Sequence, residues 1–192
     1  MEDISAVNRA LPDYIGFVFA SSRRQIDEKT ARMLKKHLDA RIKAVGVFVN
    51  QKIEFVADLY RNGVIDIAQL HGDEDSGYIE RLKERCGCQI IKAIGIGDNL
   101  PPENIGLKTG LIDYYLFDYL SGQRGGAGKT FDWDVLKKYS GPPFFLAGGL
   151  NLANIPYAIN SLDPFCIDVS SGAETDGRKD KDKIDQIVRL CR

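Results

Sequence analysis

Lys43-Ala44-Val45-Gly46-Val47-Phe48-Val49 and Ile67-Ala68-Gln69-Leu70-His71 are two short apolar runs, and the segment between them is patterned differently. There, Phe55, Val56, Leu59 and Tyr60 recur at helical spacing. The runs themselves are apolar on both faces, as parallel strands covered on two sides are. Two neighbouring parallel strands need a crossover, which is usually a helix. The stretch therefore predicts a strand, a helix and a second strand parallel to the first.

That unit repeats in both directions. Similar runs are Ile15-Gly16-Phe17-Val18-Phe19, Gln89-Ile90-Ile91-Lys92-Ala93-Ile94, Tyr114-Tyr115-Leu116-Phe117-Asp118, Phe144-Phe145-Leu146-Ala147 and Phe165-Cys166-Ile167-Asp168-Val169. Helical faces are carried by Ala31, Leu34 and Leu38, by Tyr78, Ile79 and Leu82, and by Trp133, Val135 and Leu136. Ile155, Ala158 and Ile159 mark another, and Ile184, Ile187, Val188 and Leu190 the last. Residues Pro101 to Lys108 are read as a short helix.

Strand starts at 15, 43, 67, 89, 114, 144 and 165 are spaced by 21–30 residues, with no longer crossover and no break in composition. Such regularity predicts an α/β fold of the (β/α)8 TIM-barrel type rather than an open doubly wound sheet. The barrel needs about 200 residues at the least, and the chain has 192. Ahead of the first strand, Ile4, Val7 and Leu11 predict an amphipathic helix. The expectation is one barrel domain over residues 1–192 with seven readable parallel strands, the barrel's first strand not being among them. Seven strands leave an open edge, through which self-association is expected.

Composition excludes several classes. The 26 Lys+Arg and 27 Asp+Glu give a net charge of −1, so no broad basic field awaits nucleic acid. No apolar run approaches the ~18–20 residues that span a bilayer, and no membrane association is expected. Met1-Glu2-Asp3-Ile4-Ser5 lacks the pattern of a signal peptide. Cys86, Cys88, Cys166 and Cys191 are too scattered for a disulfide scaffold, which suits a cytoplasmic protein. With His37 and His71 the only histidines, no metal site is expected.

In barrels of this kind the reactive residues lie at the C-terminal ends of strands. Gly148-Gly149 and Ser170-Ser171-Gly172 end the last two runs, where such barrels often seat a phosphate against backbone N–H groups and a short helix. Glycine lets the backbone approach an anion closely, although turn glycines needing positive φ would look the same. Asp118 ends an apolar strand, where partial desolvation would raise its pKa and suit it to general acid work. A structural Asp capping the next loop fits the position equally well.

Paired arginines such as Arg23 and Arg24 are most often solvated surface, but one at a strand end could grip a carboxylate bidentately. His71 ends another strand, where it could hydrogen-bond a sugar hydroxyl or orient a substrate, and Gln69 beside it is a candidate substrate contact. Gly125-Gly126-Ala127-Gly128-Lys129-Thr130 lacks the spacing of a nucleotide-binding loop and is read as a lid over the site.

These segments together resemble phosphoribosylanthranilate isomerase of tryptophan biosynthesis. The resemblance rests on Gly16–Phe19, Val45–Asn50, Gln69-Leu70-His71-Gly72, Gly125–Trp133, Ala147-Gly148-Gly149-Leu150-Asn151 and Asp168–Glu174, which fall in order along nearly the whole chain. It implies an Amadori rearrangement of a phosphorylated small-molecule substrate without metal or organic cofactor. It further implies that Asp118 is the general acid, that Arg24 contacts the anthranilate portion, and that Gly148, Gly149, Ser171 and Gly172 cradle the phosphate.

The family's general base is a cysteine in a Lys-x-Cys-Gly segment of the first strand, and the 192 residues contain no such segment. Weak or absent turnover is therefore the expectation for these residues alone, with a non-catalytic sugar-phosphate-binding barrel as the alternative. An indole-glycerol-phosphate synthase-like barrel is disfavoured, because Lys43 and Lys92 lie within strands rather than at strand ends.

Overall fold

The computed structural model of the chain describes residues 2–97, 110–119 and 132–192. The expected helix at 101–108 and the glycine-rich loop at 125–130 lie outside them. The chain divides into two compact units, one formed by Met1–Ala93 with Gly106–Asp113 and the other by Ile94–Ile105 with Tyr114–Arg192.

The first unit opens with α1 (Glu2–Ala10), which buries Ile4, Val7 and Ala10. It ends where Leu11 takes a φ of 55°, a conformation that cannot continue a right-handed helix. The strands β1 (Tyr14–Val18), β2 (Lys43–Phe48), β3 (Ile67–Leu70) and β4 (Gln89–Ile96) pair in parallel in sequence order. Between them run α2 (Glu28–His37), α3 (Ile53–Arg61) and α4 (Ser76–Cys86). Asp27 and Asp75 cap α2 and α4 by accepting from the N–H groups of Thr30 and Tyr78. Gly87 closes α4 at a φ of 66°.

One device recurs in this unit. Asp66, just before β3, accepts from Lys35 of α2 and from the Ala44 N–H of β2. Asp113 accepts from Lys83 of α4 and from the Ile90 N–H of β4, both at 2.8 Å. In each case one carboxylate ties a helix to the beginning of a strand.

The second unit contains β5 (Tyr114–Tyr119), β6 (Phe144–Leu146) and β7 (Cys166–Ile167), again parallel and in sequence order. Phe117, Trp133, Leu136, Phe144, Leu146, Leu150, Ile155 and Ala158 pack into its core. With β1–β4, these make the seven parallel strands that the hydrophobic runs predict.

Three local features go beyond the hydrophobic pattern. The helix at the Trp133 segment is a 3-10 helix, Trp133–Lys138. Trp133 and Leu136 are both buried three residues apart, and a 3-10 turn aligns such a pair on one side. The run 165–169 contributes only Cys166–Ile167 to the ladder, because its partner β6 is itself three residues long. After α5 (Ile155–Leu162) and β7, an antiparallel ribbon that the hydrophobic pattern does not predict, Glu174–Thr175 (β8) with Arg178–Lys179 (β9), leads into α6 (Lys181–Leu190). Asp176 and Gly177 turn that ribbon with φ values of 51° and 76°, the signature of a tight primed hairpin turn. Among the described residues, no helix is long and apolar enough to cross a membrane.

Candidate active site

In the second unit the chain after β6 must turn sharply, and Gly148 and Gly149 supply that turn with φ values of 85° and 64°. The carbonyl of Gly149 accepts from Asn151 Nδ2 at 3.2 Å and from Asn154 Nδ2 at 3.1 Å. Asn154 Oδ1 in turn accepts the Asn151 N–H at 2.8 Å, so the two asparagines lock the turn from below. Sequence reasoning did not single out Asn154. Its signal is the i, i+3 spacing from Asn151 just past a glycine pair.

The partly buried Asp118 stands beside this turn. A Cβ on Gly148 would lie 3.0 Å from Asp118 Oδ1 and 2.8 Å from the Tyr119 nitrogen. The same Oδ1 accepts the Tyr119 N–H at 2.8 Å, which fixes the carboxyl group at the strand end. On the other side, a Cβ on Gly172 would meet the Leu150 carbonyl oxygen at 2.0 Å. Only glycine permits that approach. The structure thus brings Asp118, the Gly148-Gly149 turn and the Ser171-Gly172 turn into one neighbourhood. Ser171 opens the short 3-10 helix Ser171–Ala173. Lys179 of β9 donates to the Ser170 carbonyl at 2.7 Å, so the unforeseen ribbon braces this turn.

The other predicted residues lie in the first unit. Arg24 is half-buried in the turn after β1, where its N–H donates to Ser22 Oγ at 3.2 Å. Gln69 is buried near the end of β3. Its Nε2 is 3.2 Å from His71 Nδ1. That contact holds the Nδ1 side of the ring to the amide. The His71 N–H donates to the Phe48 carbonyl at 2.8 Å, holding the residue against β2.

Beside His71 lie charged residues that the sequence disguises. Glu74 and Lys92 pair at 2.9 Å with side chains only 1% and 5% exposed. Glu74 Oε1 accepts the Asn50 N–H at 2.7 Å, and Oε2 accepts the Gly72 N–H at 2.9 Å. Tyr78, also nearby, has its phenol pushed well above the usual range by burial and then by the Glu74 carboxylate. Its hydroxyl donates to the Gln51 carbonyl at 2.8 Å.

The chain is similar to known proteins in both sequence and fold. The family model for N-(5′-phosphoribosyl)anthranilate (PRA) isomerase matches residues 1–190. An N-(5′-phosphoribosyl)anthranilate isomerase from Endomicrobium trichonymphae is 49% identical over 192 residues, covering 100% of this chain and 93% of that protein. One from Clostridium acetobutylicum is 45% identical, with coverage of 100% and 93%. The crystal structure of the Thermotoga maritima phosphoribosyl anthranilate isomerase aligns with a TM-score of 0.86 at 34% identity, covering 98% of this chain and 92% of that one. A crystal structure of the isomerase in complex with reduced 1-(o-carboxyphenylamino)-1-deoxyribulose 5-phosphate aligns at 0.83 and 32% identity, with coverage of 98% and 92%. On this agreement of sequence and fold, the chain belongs to the phosphoribosylanthranilate isomerase family.

Proposed function

We propose that the chain converts N-(5′-phosphoribosyl)anthranilate to 1-(2-carboxyphenylamino)-1-deoxyribulose 5-phosphate, an Amadori rearrangement in tryptophan biosynthesis carried out in the cytoplasm. The family match over residues 1–190 supports reading the chain as one domain. In this reading the Asp118 carboxyl protonates the furanose ring oxygen, the bond from that oxygen to C1′ breaks, and a Schiff base forms. Loss of the C2′ proton then gives an enolamine, which tautomerises to the ketone.

No residue among the 192 is assigned as the base that takes the C2′ proton. Cys86 and Cys88 flank the end of α4, Cys166 begins β7 and Cys191 follows α6.

Arg24 would bind the anthranilate carboxylate, Gln69 and His71 the sugar hydroxyls, and Gly148, Gly149, Ser171 and Gly172 the phosphate. The observation that carries this reading is the closeness of Asp118 Oδ1 to Gly148 in a turn that also abuts Gly172. A phosphate seat and a proton donor set side by side suit a substrate that carries a phosphate a few bonds from its reacting centre.

The test is turnover by the full chain, with Asp118→Asn as its control. The variant should lose about 10²–10⁴-fold in rate, the usual worth of a positioned acid. It should still bind the reduced product analogue. Unchanged turnover in the variant would remove Asp118 from the mechanism. Analogue binding without any conversion by the full chain would favour the sugar-phosphate-binding alternative.

A further inference from the structure

We propose that Glu74 and Lys92 are positioning residues that set His71 for contact with substrate. This inference rests on the reading of His71 as a substrate-binding residue.

A buried ion pair is a costly thing to fold. Removing two charges from water often outweighs their attraction, and a well-packed apolar pair would frequently be as stable or more so. Stability alone therefore explains Glu74 and Lys92 poorly, and the place to look is the geometry that the pair imposes.

Lys92 has three N–H groups, and each has an acceptor. They reach the Leu70 carbonyl at 3.3 Å, the Gly72 carbonyl at 2.7 Å and Glu74 Oε2 at 2.9 Å. Leu70 and Gly72 are the residues on either side of His71. A single ammonium on β4 thus holds the peptide carbonyls before and after the histidine.

Glu74 completes the clamp. Through its two oxygens it takes the Gly72 N–H and the Asn50 N–H, tying the loop after β3 to the loop after β2. Asn50 adds a second strand to this tie, since its Oδ1 accepts the Asp73 N–H at 2.8 Å. There is no room for adjustment at the centre. A Cβ on Gly72 would lie 2.5 Å from Asn50 Oδ1 and 2.8 Å from Glu74 Oε1. Asn50 itself holds a φ of 49°, strained for a residue with a side chain. Together with the bond from the His71 N–H to Phe48, these contacts fix the His71 backbone from three directions. The ring is then held by Gln69.

Neither charge is asked to touch the reacting atoms. Their function is to keep the imidazole where a ligand hydroxyl will arrive, since an error of about 1 Å in a positioning group can cost up to 10²-fold.

The double variant Lys92→Met with Glu74→Gln removes both charges at nearly constant shape. Glu74→Gln alone is the second variant. It keeps an acceptor for Asn50 but turns a donor toward the Gly72 N–H or the Lys92 ammonium. Two readouts are used on the full chain. Nitrogen-15 NMR of the imidazole rings reports His71 directly, with His37 as the internal reference. Titration with reduced 1-(o-carboxyphenylamino)-1-deoxyribulose 5-phosphate reports binding, in these variants and in His71→Gln.

The His71 ring signals should shift in both variants while those of His37 stay in place. Analogue affinity should fall by between about 10- and 100-fold. Adding His71→Gln to the double variant should weaken binding little further, because the effects act through one group. An unmoved His71 ring in folded protein overturns the proposal, and so do effects of the double variant and His71→Gln that simply add. Full analogue affinity in His71→Gln would instead overturn the role of His71 itself, and the positioning role with it.

Discussion

Asp118 and Gly148 are neighbours across two strand ends: a methyl group placed on Gly148 would come within 3.0 Å of Asp118 Oδ1. Together with the Tyr119 nitrogen, at 2.8 Å, the carboxyl group crowds the space that a side chain would need at position 148. Gly148→Ala should therefore disturb the acid as well as the turn. The positive φ of 85° adds strain of about 1–3 kcal/mol for a residue with a side chain. The expected outcome is folded protein with a lower Tm and turnover reduced at least as much as analogue affinity. Wild-type turnover would show that the closeness of the two residues is incidental.

Gly172→Ala should be worse tolerated. Its Cβ would lie 2.0 Å from the Leu150 carbonyl oxygen, and that backbone is already held by the Asn151–Asn154 lock. The two glycine turns must separate to admit it. Analogue titration should show affinity lower by a factor of ten or more, about 1.4 kcal/mol. Unchanged affinity would mean that the contact between the turns has no part in binding.

Asp66 and Asp113 act at the other ends of the strands. Asp113→Ala removes the acceptor for the Ile90 N–H and an ion pair with Lys83, whose two side chains are 25% (Lys83) and 29% (Asp113) exposed. A hydrogen bond to a charged group contributes about 1.5–3 kcal/mol, less here because water screens the pair in part. Thermal denaturation should show a Tm lower by several degrees, with kcat and KM retained. A loss of activity without a loss of stability would contradict the structural role.

The thiols should react in a fixed order. Burial, and secondarily the neighbouring Cys86, push the Cys88 thiol well above its usual range, so it stays protonated. Thiolate is the nucleophile, so a protonated buried thiol is inert at pH 8. Cys191 is exposed. Alkylation followed by peptide mass spectrometry should label Cys191 first and Cys88 only on unfolding. Early labelling of Cys88 would show that α4 opens readily.

How far the sequence could be read depended on where each residue's partners lie. The seven strands were legible because strands such as Ile67–Leu70 are buried throughout, and burial writes itself as an apolar run. Gly148, Gly149 and Gly172 could be grouped from the sequence because they follow the last two apolar runs, and the structure sets their turns against each other. Glu74 and Lys92 were not. Glu74 sits in Asp73-Glu74-Asp75, which reads as a solvated acidic run, and its partner is 18 residues away. Only tertiary structure shows that the middle residue of those three turns inward. The Asp176-Gly177 ribbon did carry a local signal, a two-residue turn between short polar strands, but those strands lack the apolar alternation that marks a hairpin.

In the proposed function, the two glycine turns beside Asp118 seat the phosphate of a phosphorylated sugar. The direct measurement is calorimetric titration of the full chain with reduced 1-(o-carboxyphenylamino)-1-deoxyribulose 5-phosphate and with the same compound lacking its phosphate. A single site is expected, with an affinity at least ~100-fold weaker without the phosphate, since several charge-assisted hydrogen bonds would be lost. Equal affinity for the two compounds would contradict it.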